Sequence, residues 1–126
     1  MKIVAIIARS LLGLTFLIFG LNGFLHFMPA PPMPDSPLKR FLDVFESSHW
    51  SQVISAVQVI SAVLFLVGRY VPLALALIGP VIFNILVFHI LLAPSSIGPG
   101  VFVTICWFVI FFRHRAAFAP LFQANA

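Results

Sequence analysis

Residues 71–93 read VPLALALIGPVIFNILVFHILLA, an uncharged run in which Asn84 and His89 are the only strongly polar side chains. A bilayer-crossing helix takes about 20 consecutive apolar residues, and at 1.5 Å per residue this run extends about 35 Å against a hydrocarbon core of about 30 Å. The run therefore reads as a membrane span. Gly79-Pro80 near its middle removes the backbone hydrogen bond to Ala76 and favours a kink.

Working outward, Gly68-Arg69-Tyr70 separates this span from a preceding one at residues 51–68, whose start Trp50 marks at the membrane interface. Residues 3–28 are apolar apart from Arg9, Ser10, Thr15, Asn22 and His26 and are more than long enough to cross, with Arg9 reaching back to the headgroup zone. A cleaved leader is not expected, because the apolar run exceeds a signal peptide's core of about 7–15 residues and no A-x-A-like site precedes Pro31. Beyond a turn at residues 94–99, a short fourth span covers residues 97–112 and ends at Arg113-His114-Arg115, leaving a weakly amphipathic tail at 113–126.

Residues 29–49 form the loop between the first two spans. Five of the ten prolines crowd residues 28–37 (MPAPPMPDSP), a density that stops a helix. Ser36 then reads as an N-cap and Pro37 as the first helical residue. Leu38, Phe41, Leu42 and Phe45 follow at helical spacing opposite Lys39, Arg40, Asp43 and Glu46, the pattern of a short helix lying flat on a membrane surface. The expected fold is all-α: a single integral-membrane four-helix bundle with a short interfacial helix in its first outer loop.

Composition agrees, since 62% of the 126 residues are hydrophobic and 8% charged, where soluble domains average about 45–50% and about 25%. No length remains for a separate soluble domain or nucleotide-binding fold, and uninterrupted apolar runs exclude an outer-membrane barrel. The net charge of +4 sets orientation on so apolar a chain, and nucleic acid is not an expected partner. Lys2, Arg9, Arg69, Arg113 and Arg115 fall on one side of the four spans and only Lys39 and Arg40 on the other, which places both termini in the cytoplasm. Cys106 is the single cysteine, so no intrachain disulfide or CxxC pair can form. No span contains Asp or Glu, and there is no metal-ligand spacing, Ser-His-Asp set or phosphate-binding loop.

Polar residues within the spans are then the candidate site. Asn22, His26, Gln52, Ser55, Gln58, His89 and Thr104 fall in the outward half of their helices and Asn84 nearer the midplane, which together suggest a funnel roofed by the proline-rich loop and surface helix. Asn22, His26, Gln58, Asn84 and His89 are its candidate ligand-binding residues. Each also has a structural reading as an interhelical hydrogen-bonding group. Haem ligation is disfavoured, because it requires His26 and His89 to aim at one axis. Arg9, Gly13, Phe16, Gly20 and Gly23 make a seam on the first span, in which Gly13, Gly20 and Gly23 permit close helix packing or dimerisation.

Four features stand out: Ala8-Arg9-Ser10-Leu11-Leu12-Gly13 with Phe19-Gly20-Leu21-Asn22, the Val67-Gly68-Arg69 step, PVIFNILVFH with Pro80, Asn84 and His89, and Phe112-Arg113-His114-Arg115. Through them the chain resembles, over nearly its whole length, the DoxX-like family of small four-helix membrane proteins. The resemblance implies a location in the cytoplasmic membrane of a bacterium and, for some relatives, an association with thiosulfate or quinone oxidation. Gly23 and Gln58 depart from the family pattern, standing where relatives carry a Lys and a Glu, so an intramembrane ion pair is replaced by neutral groups. Three functions compete. They are a non-catalytic accessory protein that binds a lipid or a membrane-protein partner, a quinone-linked subunit of a redox complex, and a transporter of a small neutral solute.

Overall fold

The computed structural model describes residues 2–28 and 32–125; residues 29–31, part of the expected proline-rich loop, lie outside the described residues. Five α-helices follow in chain order, with no strand among the described residues: α1 (Lys2–Leu25), α2 (Pro37–Ser47), α3 (Trp50–Val67), α4 (Val71–Leu92) and α5 (Gly98–Arg113). At 24, 18 and 22 residues, α1, α3 and α4 are long and apolar enough to cross a membrane. The apolar α5 has 16 residues, about 24 Å at 1.5 Å per residue, and so falls short of a hydrocarbon core of about 30 Å.

The helix ends follow from local chemistry. Ser36 caps α2, its Oγ accepting from the Lys39 amide at 3.2 Å, and Pro37 occupies the first turn, where its missing N–H costs nothing. The α3–α4 turn is closed by Gly68 at φ 78°. The Gly68 and Arg69 amides both donate to the Leu64 carbonyl, at 2.9 and 3.3 Å, in a Schellman-type stop that wants glycine at the left-handed position. Pro80 lies inside α4, which continues across it as a helix.

The principal contacts pair α1 with α3 and α5, and α4 with α3 and α5. The four apolar helices thus make a ring. Its core holds Leu12 and Phe16 from α1, Ala62 and Phe65 from α3, Leu75 and Ile78 from α4, and Val103 and Ile110 from α5. The small residues of α1 lie against α3. A Cβ on Gly13 would stand 2.8 Å from Leu66 Cγ, one on Gly20 would stand 2.8 Å from Val59 Cγ2, and one on Gly23 would overlap Ser55 Oγ. Outside the ring, Ile3, Ile7 and Ile18, Val53 and Ile60, Phe83 and Ile90, and Ile105 and Phe108 are all exposed. So continuous an apolar exterior suits contact with lipid, where close packing and hydrogen bonds supply the cohesion between helices.

Three short polar side chains bond within their own helices. Ser10, Thr15 and Thr104 donate to the carbonyls of Ile6, Leu11 and Gly100 on their own helices, at 2.9, 2.7 and 2.7 Å. A hydroxyl on one carbon reaches its own i−4 carbonyl before it can reach a neighbouring helix. Two longer side chains cross instead. Arg9 Nη1 donates to the Phe65 carbonyl and Trp107 Nε1 to the Leu75 carbonyl, both at 3.0 Å.

Candidate functional site

A cavity of about 700 Å³ opens between α1, α3, α4 and α5 at the end covered by α2. Its walls are mainly apolar, with Phe16 and Phe19 from α1, Ile54 from α3, Val81 and Ile85 from α4, and Val103 from α5. Aromatic rings line its α2 side. Phe41 and Phe45 stack at 5.6 Å on α2, Phe41 reaches Phe88 on α4 at 5.4 Å, and Phe45 meets Trp50 at the start of α3 at 5.7 Å. The amphipathic α2 thus places these rings on α3 and α4 as a roof.

Four strongly polar side chains line this cavity: Thr15, Gln58, Asn84 and His89. Thr15 already bonds the Leu11 carbonyl. Asn84 Nδ2 donates to the Pro80 carbonyl at 2.9 Å, leaving its Oδ1 and one N–H. His89 Nδ1 stands 3.2 Å from both the Ala93 carbonyl and Ser96 Oγ. A carbonyl can only accept, so this geometry favours the tautomer with hydrogen on Nδ1 and leaves Nε2 as an acceptor. Gln58 has no side-chain hydrogen bond among the described residues, and its Cβ packs toward Gly20. Unspent hydrogen-bonding capacity in the cavity therefore rests with Gln58, with Asn84 Oδ1 and its second N–H, and with His89 Nε2.

Asn22 and His26 lie elsewhere. Asn22 Oδ1 accepts from the Met28 amide at 2.8 Å, and the His26 amide bonds the Asn22 carbonyl at 2.8 Å with His26 at φ 51°. The pair finishes α1, and the exposed His26 ring does not join His89 at the cavity. A helix terminus consumed two residues that depth alone had assigned to the funnel. The funnel itself is less polar than the sequence suggested, because Thr104 turns back on its own backbone while phenylalanines fill the wall. The sequence signal for those rings was the apolar stripe of α2.

Net positive charge is concentrated at the opposite end. Lys2 and Arg9 of α1, Gly68 of the α3–α4 turn, and Arg113 and His114 at the end of α5 surround a cleft of about 230 Å³. Burial, then the neighbouring Arg113 and Arg9 cations, hold the His114 pKa below its ordinary value. No family model, curated protein or solved structure matches this chain.

Proposed function

We propose that this protein is a four-span, DoxX-like protein of a bacterial cytoplasmic membrane that binds a membrane-soluble amphipathic molecule, as an accessory subunit without chemistry of its own. The observation that supports this reading is the α2-roofed cavity of about 700 Å³, within the range of about 300–1,000 Å³ typical of small-molecule sites. Its apolar and aromatic walls suit a chain or ring system. Gln58 and His89 suit one or two polar atoms on it, with the Gln58 amide a donor for a carbonyl and His89 Nε2 an acceptor for a hydroxyl. A quinone offers carbonyls to the Gln58 amide and its quinol offers hydroxyls to His89 Nε2, which favours a quinone-linked subunit as the second reading.

The test is extraction and native mass spectrometry of the purified full chain, with Gln58→Leu and His89→Leu alongside. His89→Leu also frees the Ala93–Ser96 turn, whereas Gln58→Leu breaks no described hydrogen bond, so the second variant separates binding from folding. A buried ligand group left without its partner costs about 1–3 kcal/mol, so Gln58→Leu should lower co-purifying lipid or quinone roughly tenfold at nearly unchanged melting temperature. Unchanged ligand content in both variants would remove the cavity reading.

A further inference from the structure

The cleft at the basic end collects donors and almost no acceptors. Arg9 spends one N–H on the Phe65 carbonyl, leaving four of its five, and a Cβ on Gly68 would overlap its guanidinium. The bare glycine is what lets that group lie across the α3–α4 turn. Arg113 and His114 approach from α5 and Lys2 from the first turn of α1, and none of these three side chains has a hydrogen bond or ion pair among the described residues. The ion pairs that are described, Lys39–Asp43 and Arg40–Asp35, belong to α2 and the residue preceding its cap. With Asp35, Asp43 and Glu46 the only acidic side chains in the sequence, no side-chain carboxylate is available to the cleft.

We propose that this cleft, framed by Lys2, Arg9, Arg113 and His114, binds a phosphate group. Arginine forks match phosphate oxygens in pairs and a lysine adds a compact charge, and about 230 Å³ is several times the roughly 30 Å³ share of a water molecule. The shared chemistry has two sources, an anionic phospholipid headgroup or free inorganic phosphate. Ile6 lines the cleft and is exposed, so an acyl chain can leave it along the apolar flank of α1. Basic pockets between membrane helices are sites where anionic headgroups bind.

The experiment uses the full chain in mild detergent. Native mass spectrometry compares retention of phosphatidylglycerol with phosphatidylcholine of the same chains, and thermal melting is followed in millimolar sodium phosphate against sodium chloride at equal ionic strength. The variants are Arg113→Gln, which leaves the Arg9–Phe65 bond in place, Arg9→Gln, and Lys39→Gln as the control at the opposite end. A headgroup site predicts about tenfold preference for phosphatidylglycerol, lost in Arg113→Gln and Arg9→Gln and kept in Lys39→Gln. A free-phosphate site predicts no lipid preference but a phosphate-dependent rise in melting temperature that Arg113→Gln abolishes. The proposal is overturned if neither probe distinguishes wild type from Arg113→Gln, or if Lys39→Gln reduces the response equally. The apolar cavity is untouched by these variants, so its ligand content reports separately.

Discussion

Gly20 and His114 show how much rides on single residues here. A Cβ on Gly20 would stand 3.2 Å from the Ser55 carbonyl as well as against Val59, and a backbone oxygen cannot swing aside as a side chain can. Gly20→Leu should therefore cost at least the about 1–3 kcal/mol of an overpacked core. Ile18→Ala, on the exposed flank of the same helix, should change the melting temperature in detergent far less. Equal losses would mean that α1 does not use this seam. His114 makes a pH prediction. Its folded pKa lies below the ordinary 6.5, so the unfolded chain takes up its proton first as pH falls. The stability associated with a neutral His114 is present above about pH 6.5 and is lost as pH drops through the lower folded value. The cations that oppose its protonation are Arg113 on its own segment and Arg9 on α1; Lys2 also lines the cleft. Melting curves between pH 7.5 and 5 should fall more steeply for wild type than for His114→Asn, and parallel curves would contradict this account. The glycine seam was legible because small residues at helical spacing have one use in lipid, close approach. Asn22 and His26 were not legible, because depth along a sequence does not reveal whether a polar residue faces a cavity or finishes a helix.

Among the elements, the amphipathic α2 was readable from Ser36-Pro37 and its alternating faces, and the apolar runs of α1, α3 and α4 from length and composition. What lay beyond the sequence was the surface that α2 covers. Periodicity says that Phe41 and Phe45 share a face, but only the tertiary arrangement brings them to Phe88 and Trp50 rather than to lipid. Trp107 was missed for a related reason. Its indole crosses from α5 to the Leu75 carbonyl with its ring 3.7 Å from where a Cβ on Gly79 would lie, a pairing set by the rotation of two helices. The α2 roof makes its own prediction. No side chain of α2 is fully buried, so replacing Phe41 and Phe45 together with alanine should leave the melting temperature of the helix ring nearly unchanged. Opening the cavity should nevertheless reduce the lipid or quinone retained on purification. A large loss of thermal stability with retained ligand would make α2 a folding element instead of a cover.

For the whole molecule, the distribution of charge and the direction of the helices make one prediction together. α1 and α3 run antiparallel, since Gly13 meets Leu66 while Gly23 meets Ser55. The start of α1 and the end of α5 meet at one cleft with the α3–α4 turn, so Lys2, Arg9, Arg113 and His114 share an end that α2 does not. If α5 crosses despite its 16 residues, the preceding Pro94–Ser96 turn and local thinning of the bilayer must make up a shortfall of about 6 Å at 1.5 Å per residue. On the proposed four-span reading, the excess of Lys and Arg at the shared end predicts that this end lies in the cytoplasm, because moving these cations across the bilayer is the costlier alternative. Reporter fusions after Gln123 and after Asp35 should accordingly give opposite signals, cytoplasmic for the first and external for the second. If both reported the same side, an even number of α3, α4 and α5 would cross, as when the 16-residue α5 fails to span. If the signals were opposite but exchanged, the four-span arrangement would stand inverted, and the phosphate-binding cleft would face the outer leaflet.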